Sequence, residues 1–307
     1  MNTKTKIRKI GVIGFGVMGS GIAQAAAMSG FETIVRDVHI DFIEIGMQKI
    51  KNSLKRLVQN YARTGGKKGI SKETEASTLA NLKTTLYLKE LIETDIIIEA
   101  IVERQDEKAK LFDTLSKLGY SGLLVSNTSS ISITKLGASF KYPERFMGMH
   151  FMNPVPLQKG VELIRGLSTS DDTYTAVSRL AKDMGKTVIN AKDKAGFGIN
   201  RMFIPFLNEA IKVVEEEILS PEDADKATIC LGHKMGPIAT ADYIGLDTVL
   251  FICNILEEGL GSAYKAAPLL KRMVDAGYLG VKTGKGFYVY EEGKSITVNP
   301  DIRRFIK

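Results

Sequence analysis

The spacing of apolar and polar positions changes character along the chain. IRKIGVI at 7–13 reads as a buried strand, and ETIVRD at 32–37 as a second strand. Between them lies a small-residue segment, 17–30, that reads as a helix ending at Gly30. The three form a strand–helix–strand unit. Met47, Ile50, Leu54, Leu57, Val58 and Tyr61 then recur at steps of three and four, marking one apolar face of a long helix. A basic turn, RTGGKKG at 63–69, and a second helix near 71–80 make this a helical hairpin inserted into the alternating pattern. Strands resume near 82–87, 95–99, 122–126, 145–150, 160–165 and 187–189, with helices near 104–118 and 171–184. Such alternation predicts an open parallel sheet with helices on both faces.

Past about residue 193 the pattern turns helical, with segments at 197–217, 221–231, 236–260 and 264–276, and strand signals largely stop. Ser220-Pro221-Glu222-Asp223 is a helix start: a serine cap, a proline in the first turn and acids near the N-terminus. The chain therefore divides into an α/β domain at 1–192 and an all-α domain at 193–307.

Gly14-Phe15-Gly16-Val17-Met18-Gly19 fits G-x-G-x-x-G. The pattern alone is weak, but here it follows a strand, opens a helix and sits inside a strand–helix–strand unit, the context of a Rossmann-type dinucleotide site. Gly14 permits the tight turn, Gly16 lets the backbone approach a pyrophosphate, and Gly19 lets helix and strand pack closely. The helix N-terminus offers free N–H groups to the anion. Asp37 ends the second strand, where a carboxylate binds ribose hydroxyls and repels a 2′-phosphate, so NAD is expected. Arg36 pulls the other way, since a neighbouring arginine favours NADP.

Composition narrows the picture further. The 307 residues, 44% apolar and 25% charged, suit a globular protein with a sizeable core. A net charge of +7 is spread without a concentrated basic stripe, which argues against nucleic acid and allows a bias toward small anions. Cys230 and Cys253 have no metal-ligand spacing, so neither a metal site nor a disulfide framework is expected, which fits a reducing compartment. The polar N-terminus has no signal-peptide core and no apolar run reaches the length of a membrane span. A cytoplasmic protein with no membrane partner is the expectation.

Of three histidines, His39 adjoins the second strand, His233 sits in a helical connection, and His150 closes the strand RFMGMH. Ligands bind at the carboxyl ends of strands in open α/β sheets, and imidazole moves protons near neutral pH. On these grounds His150 is either a proton-transfer residue or a structural histidine. Glu162 on the next strand is either its orienting carboxylate or a surface acid. The run Ser126-Asn127-Thr128-Ser129-Ser130 ends another strand at the same edge, as a ligand contact or a capping turn. No G-x-S-x-G elbow surrounds Ser129, which argues against a serine hydrolase.

Together, GFGVMGSGIAQAAAMSG, VRD, IIEAIVE, SNTSS, HFMNPVP, KDKAGFGINR, MGP with IGLD, and AGYLGVKTGKGFYVY resemble the 3-hydroxyacyl-CoA dehydrogenases, most closely the bacterial 3-hydroxybutyryl-CoA group, over nearly the whole chain. The resemblance implies NAD-dependent oxidation of a 3-hydroxyacyl-CoA, with His150 as catalytic base and Glu162 as its partner. It implies cofactor contacts at Gly14, Phe15, Gly16, Val17, Met18, Gly19, Asp37, Glu103, Lys108, Asn153 and Lys282. Ser129 matches a residue shared by cofactor and substrate, Asn200 a contact of the substrate carbonyl, and Ser53 a CoA contact. Lys67 and Lys68 are either phosphate contacts or solvated lysines. A homodimer through the C-terminal domain is also implied.

The chain departs from the family's pattern where a methionine–lysine–leucine run usually follows NPxP. Here that run is Gln158-Lys159-Gly160, and Ala195 replaces the usual proline. These changes bear on acyl-chain preference and on CoA itself. A gulonate- or carnitine-type hydroxyacid dehydrogenase and a non-catalytic, crystallin-like NAD-binding protein are therefore the alternatives. The basic hairpin argues for CoA over the former, and the joint presence of Ser129, His150, Glu162 and Asn200 argues against the latter.

Overall fold

A computed structural model describes residues 7–306, so the polar residues 1–6 read above lie outside the described residues. The chain divides between Asp193 and Lys194 into two compact units.

The first unit begins with β1 (Lys9–Ile13), α1 (Val17–Met28), β2 (Glu32–Arg36), the long α2 (Ile40–Arg63), α3 (Lys72–Ala80) and β3 (Leu82–Thr85). It continues with β4 (Ile96–Glu99), α4 (Gln105–Lys117), β5 (Leu123–Ser126) and a short α5 (Ile133–Gly137). β6 (Phe146–Phe151), β7 (Gly160–Arg165), α6 (Asp171–Asp183) and β8 (Thr187–Lys192) complete it. The eight strands lie in the order β3-β2-β1-β4-β5-β6-β7-β8. The order reverses between β1 and β4, which is the topological switch point where such sheets take ligands.

The sheet is not parallel throughout. β6 and β7 pair antiparallel, and β8 then runs parallel to β7. Apolar periodicity marks strands but carries no direction, so the all-parallel expectation fails at this edge. Helices cover both faces, and β1 and β4 are correspondingly apolar on both sides, with Ile10, Val12, Ile96 and Ile98 buried on one face and Ile13 and Ile97 on the other, while β6 buries Met147 and Met149 on the first of these faces. α5 was not apparent from periodicity because it is a single capped turn.

The second unit holds α7 (Ile199–Glu215), α8 (Pro221–Cys230), α9 (Pro237–Ile244), α10 (Leu246–Leu260) and α11 (Pro268–Asp275). A hairpin of β9 (Tyr288–Glu291) and β10 (Lys294–Val298) follows, then α12 (Ile302–Ile306). Its separate core includes Ile204, Leu207, Ile211, Val249 and Leu270. The segment read as one helix over 236–260 is two, bent by 97°. The break is Gly245, at φ +103°, a conformation that glycine adopts without strain. No single helix among the described residues is long and apolar enough to cross a membrane; α9 and α10 meet that length and composition only as this bent pair.

The hairpin departs from the all-helical expectation. Its turn uses Glu292 and Gly293, both at positive φ. Its attachment is non-local, to buried Asp242 in α9. That carboxylate accepts the backbone N–H groups of Phe287 (3.0 Å) and Tyr288 (2.9 Å) and the hydroxyl of Tyr290 (3.0 Å). Gly286 lets the chain come so close, since a Cβ there would lie 2.1 Å from Asp242 Oδ1.

Burial pushes the Asp242 carboxyl up to about 6, against these three donors and with Asp225 adding to the rise. The folded pKa exceeds the ordinary 3.8, so the folded chain binds this proton before the unfolded one does. The contribution to stability is therefore absent at neutral pH and grows as pH falls from about 6 toward 4. Between pH 7 and pH 5, the stability of the wild type relative to Asp242→Asn is expected to improve by about 1 kcal/mol. Urea unfolding at both pH values tests this, and a pH-independent difference refutes it.

Candidate active site

The three glycines of the first loop meet three different steric demands. Gly14 sits at φ +94°, and a Cβ there would lie 2.5 Å from the carbonyl oxygen of Ala100. A Cβ on Gly19 would lie 1.7 Å from the carbonyl oxygen of Gly14, so any side chain would separate helix from loop. Gly16, the N-cap of α1, has nothing within 4 Å of that position. A pyrophosphate has open access to the backbone there, at the positive end of α1. Val17, exposed, and Met18, partly buried, begin α1.

Asp37 closes this site from the next strand. Its Oδ2 accepts the Phe15 N–H at 2.6 Å and its Oδ1 the Val38 N–H at 2.6 Å. Each carboxylate oxygen keeps a lone pair for a ribose hydroxyl. Arg36 donates through Nε to the Leu86 carbonyl (3.2 Å). A cavity of about 510 Å³ lies beside Gly14, Gly16, Asp37, Lys49 and Ala100. An open glycine at a helix N-terminus, a positioned carboxylate and a neighbouring cavity fit the adenosine diphosphate half of NAD. Buried Phe15 also packs on α2, where a Cβ on Gly46 would lie 2.4 Å from its ring.

The second half of the site lies along the carboxyl ends of β4, β5 and β6. His150 on β6 and Glu162 on β7 are directly opposed in the antiparallel register. His150 Nδ1 lies 2.8 Å from Glu162 Oε2. Their relative exposures are 7% and 0%, so Glu162 is not the surface acid that sequence left open. The other histidines have evident structural roles: His39 caps α2, and His233 stacks on Phe206.

Glu103 organises the loop after β5. Its Oε1 accepts the Thr128 hydroxyl (2.6 Å), the Ser129 N–H (2.8 Å) and hydroxyl (3.3 Å), and the Ser130 hydroxyl (2.9 Å). Burial pushes this carboxyl up, but Lys108 and the loop donors outweigh it and hold it below its ordinary value. Asn127 ties the same loop to the histidine strand by accepting the Phe151 N–H at 2.9 Å. Lys108, expected at the cofactor, is 1% exposed. Its ammonium lies 2.5 Å from Glu99 and 3.3 Å from Glu103. Its visible task is to neutralise two carboxylates from beneath. Glu99 also takes the Ser126 hydroxyl at 2.6 Å.

Sequence reasoning missed several supports. Asp193 accepts the Ser132 hydroxyl (2.9 Å) and the N–H groups of Ile133 (2.9 Å) and Thr134 (2.8 Å), capping α5. Lys186 donates to the carbonyls of Val155 and Gln158, in the loop after His150. Neither lies in a pattern with a local signature. Asn153 and Gln158 are exposed in that loop, and Gly160 opens β7. Ser53 is half-buried on α2, while Lys67 and Lys68 are exposed in the turn before α3. Asn200 and Lys282 belong to the second unit. Asn200 is buried in the first turn of α7, and Lys282 pairs with Asp247 near the start of α10.

The chain matches the model of the 3-hydroxyacyl-CoA dehydrogenase NAD binding domain over residues 9–194 and that of the family's C-terminal domain over 196–290. It belongs to the 3-hydroxyacyl-CoA dehydrogenase family. A probable 3-hydroxybutyryl-CoA dehydrogenase of Bacillus subtilis is 45% identical, covering 94% of this chain and 100% of the relative. The 3-hydroxybutyryl-CoA dehydrogenase of Bradyrhizobium diazoefficiens is 43% identical, covering 94% and 98%. The crystal structure of (S)-3-hydroxybutyryl-CoA dehydrogenase from Ralstonia eutropha superimposes with a TM-score of 0.86 at 42% identity, covering 94% of this chain and 100% of that one. The stretch matched to the NAD binding domain contains the glycine loop and Asp37 described above.

The buried ion pair makes a stability prediction. Lys108→Met strands Glu99 without its cation and is expected to cost about 3–5 kcal/mol. Glu99→Gln combined with Lys108→Met is expected to recover much of that loss. A double-mutant cycle by urea unfolding checks this, and additive losses would refute the coupling.

Proposed function

We propose that this chain interconverts a short-chain (S)-3-hydroxyacyl-CoA and the 3-ketoacyl-CoA, with NAD as the redox partner, in fatty-acid or butanoate metabolism. The observation that carries the proposal is the buried His150–Glu162 pair at the ligand-binding edge of an NAD-binding domain. The relatives' names supply the substrate class.

NAD, when bound, supplies the carbon that takes or gives the hydride. The protein's part is the proton. An ionised carboxylate only accepts hydrogen bonds, so Glu162 selects the tautomer in which Nδ1 of His150 carries the proton. Nε2 is then the basic nitrogen, able to take the proton of a 3-hydroxyl as the carbon–hydrogen bond breaks. The resulting imidazolium is stabilised by the buried carboxylate beside it. In the reductive direction the imidazolium returns that proton to the forming alkoxide. Glu103 fixes Ser129 beside this reaction edge through its backbone and hydroxyl. Asn200 is the proposed contact of the thioester carbonyl. The basic α2–α3 arm, with Ser53, Lys67 and Lys68, is the proposed contact of CoA. Assembly as a homodimer through the C-terminal domain and a cytoplasmic location belong to the same reading.

His150→Gln is expected to lower turnover by about 10²–10⁴-fold while NADH affinity changes little. Glu162→Gln keeps the shape but no longer favours the imidazolium, and is expected to cost about 10²-fold or more in kcat. Undiminished turnover in the histidine variant would sink the assignment. Substrate class is tested by NADH oxidation with acetoacetyl-CoA against free acetoacetate, with NADPH in parallel. Turnover confined to the thioester and to NADH is the expected result. Activity on the free acid alone would indicate a hydroxyacid dehydrogenase that does not use CoA. NADH binding without turnover on either would indicate a non-catalytic protein.

A further inference from the structure

The backbone after His150 leaves the sheet at Phe151 and makes a tight turn before re-entering at Gly160. Within the turn, the Pro154 carbonyl accepts the N–H groups of both Leu157 and Gln158 at 3.0 Å. The carbonyls of Val155 and Gln158 receive their donor from a distant residue, Lys186. Its ammonium lies 2.5 Å from Val155 O and 2.8 Å from Gln158 O. Lys186 is only 9% exposed, and among the described residues no carboxylate lies within 4.0 Å of its nitrogen to form an ion pair. Burial of a lysine is costly, and it lowers this one's pKa. Local geometry delivers it there. Gly185, at φ +69°, ends the turn after α6. The Thr187 N–H then joins the Lys159 carbonyl at 2.7 Å, bringing the start of β8 beside the loop.

The opposite side of the loop rests on the cofactor helix. Val155 is 2% exposed, and a Cβ on Gly21 of α1 would lie 3.0 Å from Val155 Cβ. The loop is thus gripped between α1, whose N-terminus faces the pyrophosphate position, and the Lys186 ammonium. Asn153 lies within this clamped stretch, three residues after His150.

We propose that Lys186 is a positioning residue of the active site. Its buried ammonium holds the 153–158 loop in register with the cofactor helix and with His150. Lys186 is largely withdrawn from solvent and acts through the two carbonyls. Three of its effects are separable. Loop order and cofactor affinity do not depend on the acyl substrate; only the effect on kcat rests on the function proposed above.

The test compares Lys186→Met, which keeps the stem and removes the charge, with Lys186→Arg, which keeps charge and donors. Hydrogen exchange of the peptide spanning 152–159, NADH affinity by fluorescence titration, and kcat and KM are measured on each intact protein. Lys186→Met is expected to speed exchange in that peptide while β1, β4 and β5 keep their protection. NADH binding should weaken about tenfold. kcat should fall on the order of 10²-fold, because a small displacement of positioned groups is enough to cost that much. Lys186→Arg should recover most of both losses. If Lys186→Met does not accumulate as folded protein, Lys186→Gln carries the same comparison. The proposal is overturned if a folded, charge-free variant retains wild-type NADH affinity and loop exchange, or if protection is lost across the whole NAD-binding unit. An arginine variant no better than methionine also overturns it. Wild-type protein inactive on every acyl substrate, with the loop and NADH effects intact, would overturn the proposed substrate and leave the clamp standing.

Discussion

A carboxylate buried away from water must be given donors, and Glu162 is the case on which the reactive edge depends. It is wholly buried, and the His150 imidazole meets it at 2.8 Å. The pairing requires the strand reversal between β6 and β7. Directly opposed residues of an antiparallel pair share a face, with Cβ atoms about 4.5–5.5 Å apart. Histidine and glutamate at those positions therefore meet by register. A one-residue slip would send Glu162 to the other face and break its contact with His150. The chemistry and the register of these strands thus enforce each other.

The same requirement recurs at other carboxylates near the strand ends, with different results. Asp37 is held by two backbone N–H groups and keeps lone pairs for a ligand. Glu103 turns inward, and its donors are the loop it shapes. Glu99 has Lys108 and Ser126 and reaches no ligand-facing surface. Three acids near one sheet edge thus differ: Asp37 lines the cavity, Glu103 orders a loop and Glu99 gives internal support, distinguished by where their donors come from.

How much of this can be read in the sequence follows from the range of each interaction. The glycine loop and Asp37 are legible because backbone turn, helix start and strand end lie close along the chain. His150 and Glu162 are legible as strand residues, but their pairing needs strand direction, which apolar periodicity does not encode. Lys108 could be matched to a family position, yet only packing reveals that it faces two buried acids. Asp242, Asp193 and Lys186 carried no signal because each acts on backbone groups far along the chain. The break at Gly245 is a single glycine inside an apolar stretch, which periodicity passes over. Asn200 and Lys282 were singled out through the family resemblance, and their own unit shows one buried at a helix start and the other paired with Asp247.

The departure at Gln158-Lys159-Gly160 acquires a physical reading from the same facts. The main chain of the loop is fixed by Pro154, by Lys186 and by the contact of Val155 with α1, none of which uses the side chains at 157–159. Leu157, Gln158 and Lys159 are all exposed. Gly160 has room as well, since a Cβ there would make only an ordinary contact with Ile189, at 3.4 Å. Substitution at these positions can alter what the loop presents without disturbing the carbonyls that hold it. Side chains can therefore vary along this segment while the geometry of His150 and Glu162 stays fixed, because backbone anchoring separates the part of the loop that positions from the part that is displayed.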